Sequence, residues 1–148
     1  MAGETVSKQR QKGTLFESQV VEYMRNRLQD ERIERRACSG INDRGDISGV
    51  MLRGKRVVLE CKNRREMKLA QWLDEAETER GNDDAEFGFV VHKRKGCGEK
   101  SMGETYVTCT LDTLCAIIAG NHSNLFYRPE ERANAAFMLG ERGIDHDG

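Results

Sequence analysis

A chain of 148 residues, 37% of them hydrophobic, suits one domain around one core, and a formal charge of −1 singles out no class of partner by itself. No segment is apolar for the roughly 20 residues that a membrane-spanning helix needs, and the N-terminus has no apolar run of the secretory kind, so a cytoplasmic protein is expected. The five cysteines (Cys38, Cys61, Cys97, Cys109 and Cys115) are odd in number and unpaired in spacing, which fits reduced thiols. A zinc site from Cys97, Cys109 and Cys115 with His92 or His122 would lack the usual C-x2-C knuckle.

In chain order, residues 1–13 are polar and read as a mobile basic arm. Thr14 opens a helix in which Leu15, Phe16, Val20, Val21, Met24 and Leu28 recur at helical spacing. Ile33 to Cys38 reads as a short strand, followed by a turn at Ser39 to Asp43. Gly45 to Met51 and Lys55 to Lys62 form a hairpin. Glu66 to Arg80 is an amphipathic helix carrying Leu69, Trp72, Leu73 and Ala76, and the apolar run Phe87 to His92 is a strand at the centre of the sheet. A glycine-rich loop at Gly96 to Gly103 precedes a strand at Thr105 to Thr110 and a helix at Leu111 to Ala119. Pro129 opens a short C-terminal helix. The expected class is α/β: a mixed sheet flanked by helices in the order α-β-β-β-α-β-β-α, with the C-terminal helix added. Its divisions are an arm (1–13), a main domain (14–120) and a C-terminal helix and tail (121–148).

The hairpin carries the chemistry. With Leu52-Arg53-Gly54 as a three-residue loop and Met51 paired with Lys55, Asp46 lies across from Glu60, and alternation keeps Lys62 on the same face. A two-residue turn would send Asp46 to the other face. Two adjacent carboxylates repel unless one is protonated or a hard cation binds them through oxygen, and a lysine beside that cation can orient water. The surrounding charge agrees: from Arg44 to Lys68 there are eight basic residues against three acidic ones, whereas Leu69 to Val91 holds seven acidic residues and Arg80 alone. A basic zone around an acidic cluster suits hydrolysis of a polyanionic backbone.

Lys12-Gly13-Thr14-Leu15-Phe16-Glu17, Gly45-Asp46-Ile47 and Glu60-Cys61-Lys62, with the elements that follow, resemble the restriction-endonuclease-like, or PD-(D/E)XK, nuclease superfamily over roughly residues 10–119. Within it the chain is most similar to the archaeal-type and phage Holliday junction resolvases. The resemblance implies a restriction-endonuclease-like core and an endodeoxyribonuclease acting on four-way junctions in recombination, repair or phage DNA processing. Asp46, Glu60 and the Cys61 carbonyl would bind Mg2+ or Mn2+, Lys62 would position water, and Glu17 would complete the acidic set. Gly45 stands where the superfamily usually has proline.

Glu17 has a competing role, since Thr14-x-x-Glu17 is also a helix capping box. Ser39 resembles a serine that some resolvases place near the scissile phosphate, but the sequence by itself favours a turn residue there. Lys12, Arg44, Arg64, Arg65, Lys68, Lys93, Arg94 and Lys95 are the expected phosphate contacts on DNA. Two symmetric cuts imply a homodimer, for which Trp72, Leu73, Phe126, Phe137 and Met138 are interface candidates, although an amphipathic helix first buries such a stripe in its own core. A restriction, repair or nicking nuclease of the same superfamily is the nearest rival, and a non-catalytic nucleic-acid-binding protein of this fold is the rival of another class. Arg44-Gly45-Asp46 as an adhesion ligand finds no export signal to support it.

Overall fold

The computed structural model describes residues 2–37 and 44–126. Ser39, Phe137, Met138 and the expected C-terminal helix lie outside the described residues. The fold is α/β, a mixed sheet flanked by helices. The chain divides into two compact units, Met1–Leu114 and Cys115–Gly148. The first holds all the strands described and both long helices. The second holds the latter part of helix α3 (Leu111–Ala119) and a single 3-10 turn at His122–Asn124 capped by the Asn121 side chain.

Helix α1 spans Ala2–Leu28, so it begins well before Thr14, and the stretch expected to be an arm is helical. Its Gln, Lys, Arg and Glu residues are good helix formers, no proline interrupts them, and Gly3 and Gly13 each cost only about 1 kcal/mol. Thr14 is therefore an interior residue whose carbonyl accepts from the Ser18 hydroxyl, and the capping-box role for Glu17 falls away. Phe16, Val20 and Val21 are the buried stripe of this helix.

Strands β1 (Glu34–Arg35), β2 (Ile47–Ser48), β3 (Met51–Leu52), β4 (Lys55–Lys62), β5 (Phe87–His92) and β6 (Tyr106–Thr108) make one sheet in the order β1-β2-β4-β5-β6, with β3 also on β4. Only β4 and β5 run parallel; the other pairs are antiparallel. The parallel pair requires a crossover, which α2 (Leu69–Asn82) supplies. Trp72 and Ala76 of α2 pack on Val90 with Leu69 and Leu73 around them. Trp72 and Leu73 thus belong to the core, as an amphipathic stripe facing its own sheet requires. The segment expected to be a glycine-rich loop contains a 3-10 helix at Glu99–Glu104. An apolar hollow of about 350 Å³ lies on the α1 side, lined by Val20, Met24, Leu59, Phe89 and Val91 among others.

The hairpin differs from expectation in a consequential way. Its turn has two residues, Arg53 and Gly54, with φ of +52° and +80°, and Leu52 pairs with Lys55 while Met51 pairs with Arg56. Two-residue turns with both φ positive match the strand twist, which explains why this turn displaces the three-residue loop. Farther from the turn, however, Ile47 pairs with Leu59, which is the register expected from the longer loop. The slip is absorbed between these points: Val57 N donates to Val50 O, so Ser48 and Gly49 together stand opposite the single residue Val58. This is a β-bulge, with Gly49 at φ +83°.

A Cβ on Gly49 would overlap the Arg32 carbonyl, whereas one on Gly54 would meet nothing within 4 Å. Gly49→Ala is expected to destabilise the protein by about 2 kcal/mol more than Gly54→Ala, because both force a side chain into the left-handed region and only the first also drives two backbones apart. Urea denaturation of the two variants measures this; equal losses would mean that the bulge is not clamped against Arg32.

Candidate functional site

Asp46 sits one residue before β2, where its backbone is fixed on both sides. Its N–H donates to Leu59 O at 3.0 Å, and its carbonyl accepts from Arg36 N at 2.7 Å. The side chain then crosses to β4, where Oδ2 accepts from the Cys61 N–H at 2.7 Å. Gly45 makes this approach possible: φ is +92°, and a Cβ there would come 2.9 Å from Val58 Cγ1 and 3.2 Å from Leu59 O.

Alternation along β4 sends Glu60 and Lys62 to the face covered by α2. Glu60 is only 7% exposed. Lys62 Nζ lies 3.1 Å from Glu60 Oε1 and 2.6 Å from Glu75 Oε2 on α2. Glu60 Oε2 is buried with no hydrogen-bond partner among the described residues. Burial works to lower the Lys62 pKa, but the bonds from Glu75 and the charge of Glu60 outweigh it, and the ammonium is held above its usual range.

Cys61 points the other way and is buried. Desolvation raises its thiol pKa first, and the carboxylates of Asp46, Glu17, Glu60 and Glu79 raise it further. The acids that act on this one residue come from α1, α2, β4 and the segment leading into β2. Glu17 reaches the neighbourhood from α1 and bonds Arg35 of β1 at 2.9 Å. Glu79, buried on α2, turns Oε2 toward Gly45, and the neighbouring Asp83 pairs with Arg36 at 3.2 Å.

The expected phosphate contacts divide into groups. Arg64, Arg65 and Lys68 are exposed and line a cleft of about 690 Å³ that also takes in Lys62, Gln71 and Glu75, with Gln9 of α1 bonded to Arg64 across it. Lys93, Arg94 and Lys95 are exposed and leave β5 beside the same point, since Lys62 pairs with His92 and Lys93 N donates to Lys62 O. Both basic segments thus start from the carboxyl ends of the two parallel strands, where open α/β sheets commonly bind ligands. Arg94 lies over the Tyr106 ring, 5.4 Å from its centroid. Arg44 and Lys12 are exposed as well.

Sequence reasoning passed over Glu75, Glu79, Arg35 and Arg36, and weighed His92 only as a zinc ligand. Helical spacing carried a signal for the first two: Trp72, Ala76 and Glu79 form one buried stripe, and Glu75 stands three residues after Trp72. His92 is buried between the rings of Trp72 and Tyr106, with Nε2 bonded to the Thr108 hydroxyl at 2.8 Å, and burial lowers its pKa.

Among the described residues, no three His, Cys, Asp or Glu side chains are grouped as a ready-made metal site. Asp46 and Glu60 offer oxygen donors, and Glu60 Oε2 is a buried acceptor that a cation would satisfy. That suits Mg2+, which is normally held by one or two carboxylates with waters and substrate phosphates. No family model, curated protein or solved structure matches the chain. No helix among the described residues is long and apolar enough to cross a membrane.

Because the thiolate is the reactive form, Cys61 is expected to resist alkylation at pH 8 at least about tenfold more than the exposed Cys115, and to react at the same rate once urea unfolds the chain. Mass spectrometry of each labelled cysteine reads this. Rapid labelling of native Cys61 would contradict its burial and the raised thiol pKa.

Proposed function

We propose that the protein is a metal-dependent DNA endonuclease with a restriction-endonuclease-like core, acting as a dimer on branched DNA of the four-way junction type. The observation that carries this reading is that the Asp46 carboxylate reaches β4 at Cys61, the residue between Glu60 and Lys62, and that Lys62 lines a cleft rich in basic residues. Asp46 is bonded to the strand beside Glu60, Lys62 is bonded to Glu60, and Arg64, Arg65 and Lys68 line the cleft that begins at Lys62.

Asp46 and Glu60 would hold Mg2+ or Mn2+, with the Cys61 carbonyl as a further ligand. When bound, the cation supplies charge neutralisation at the phosphate and a more acidic water. Lys62 presents an ammonium beside that phosphate and can hydrogen-bond both it and the attacking water. Arg64, Arg65 and Lys68 on one side, and Lys93, Arg94 and Lys95 on the other, hold flanking phosphates without reading sequence. Glu17 enlarges the acidic set and is itself steadied by Arg35. Gly45 in place of the superfamily proline is consistent with this arrangement, because proline cannot adopt a φ of +92°.

Asp46→Ala or Lys62→Ala is expected to abolish cleavage in Mg2+ while changing junction binding by no more than about threefold, since metal chemistry and backbone electrostatics are separable. Cleavage that survives either substitution removes the central claim. The substrates to compare are a four-way junction, a fork, a nicked duplex and a linear duplex. Paired symmetric nicks confined to the junction support the resolvase reading, strong cutting of linear duplex favours a restriction or repair nuclease, and binding without cutting favours a non-catalytic protein.

Arg64→Ala combined with Arg65→Ala is expected to weaken binding and reduce the slope of log affinity against log salt by about 2, one unit for each phosphate that an arginine no longer neutralises. An unchanged slope would mean that these arginines do not meet phosphates.

A further inference from the structure

We propose that Glu75 is a positioning residue for Lys62: it holds the lysine ammonium against α2 so that Glu60 can release it and turn toward a divalent cation. The inference rests on the cation-dependent reading above and concerns a residue which that reading does not use.

The geometry makes Lys62 a shared cation. Its amine is 2.6 Å from Glu75 Oε2 and 3.1 Å from Glu60 Oε1, and its side chain is only 15% exposed. An ammonium at that depth is strongly destabilised if it loses its last carboxylate. Without Glu75, Glu60 would be that last carboxylate, and the lysine would compete with any cation for it. With Glu75 in place, Lys62 keeps a counter-ion when Glu60 changes partner.

Glu75 is built to stay. Trp72 and Ala76, which bracket it on α2, are buried against Val90 and fix the rotation of the helix. Its other oxygen, Oε1, accepts from Gln71 Nε2 at 3.2 Å, one turn earlier, so both carboxylate oxygens are engaged. The Glu75 side chain is 36% exposed, which leaves room to substitute it without opening the core.

The test titrates Mn2+ by calorimetry into the full-length protein, Glu75→Gln, Lys62→Met and the double variant. Glu75→Gln is expected to weaken Mn2+ binding roughly fivefold or more in the native background, but less than about twofold in the Lys62→Met background, where there is no ammonium left to hold. Equal weakening in both backgrounds would show Glu75 acting as a bare charge, and no weakening in the native background would show no role; either overturns the proposal. A native protein that takes up no Mn2+ overturns the cation-dependent reading itself, so the two failures are told apart. Should Glu75→Gln not fold, Gln71→Ala loosens Glu75 while keeping its charge. Weaker Mn2+ binding there supports the holding role, and unchanged binding overturns it.

Discussion

The contact on which the acidic site depends is the pressing of Gly49 against the Arg32 carbonyl. That contact leaves no space for a side chain, so the position takes glycine, whose backbone accepts the positive φ of the bulge. The extra residue cancels the one-residue slip set by the Arg53-Gly54 turn. Without the bulge, period-2 alternation would carry Asp46 to the opposite face from Glu60. With it, Asp46 Oδ2 reaches β4 and accepts from the N–H of Cys61, the residue after Glu60. Gly45 repeats the device just before the chain enters the ladder at Ile47, by letting the backbone approach Val58 and Leu59 closely enough for Asp46 to reach across.

Energetically this cluster is a poor way to stabilise a fold. Two unit charges 4 Å apart interact by about 4 kcal/mol at an effective dielectric of 20, while removing each from water costs several kcal/mol. Glu60, Glu79 and Asp83 are all buried, and a single lysine is shared by Glu60 and Glu75. Glu60 keeps one oxygen without a partner among the described residues. An apolar residue in its place would serve the core as well. Arrangements of this kind, in which several like charges converge on one buried strand, are characteristic of functional sites.

Where the sequence was most legible, local preference and tertiary packing asked for the same thing. The unbroken apolar run of Phe87–His92 and the spacing of Leu111–Ala119 gave strand and helix at the bounds expected. The register next to the candidate site was legible for a subtler reason: Ile47 does pair with Leu59, although the turn from which that register was reasoned is a different one. Bulges leave little trace in periodicity, and Gly49 could as well have been an ordinary turn glycine. The long α1 was missed because its first half lacks an apolar stripe. There, helix propensity and the Gln9 contact to Arg64 take the place of the periodicity that marks Phe16 to Val21. Glu75 and Glu79 were hidden in a block read only as charge along the chain.

That block shows how linear charge counts mislead. The acids between Leu69 and Val91 look as though they would repel a polyanion. Glu79 and Asp83 are in fact buried, Glu75 is bound to Lys62, Asp83 to Arg36, and Glu77 to Arg80. Arg64, Arg65, Lys68, Lys93, Arg94 and Lys95 are all exposed. Asp74 and Asp84 stay exposed, so burial and pairing thin the acidic block and do not remove it. On the endonuclease reading, an approaching DNA backbone would meet the exposed cations first and be drawn in by them. Only phosphates already held at the rim would come close to the carboxylates, where a bound divalent ion would be required to offset the repulsion. On that reading, a near-neutral chain would offer exposed cations to a polyanion while its buried carboxylates lie beneath them.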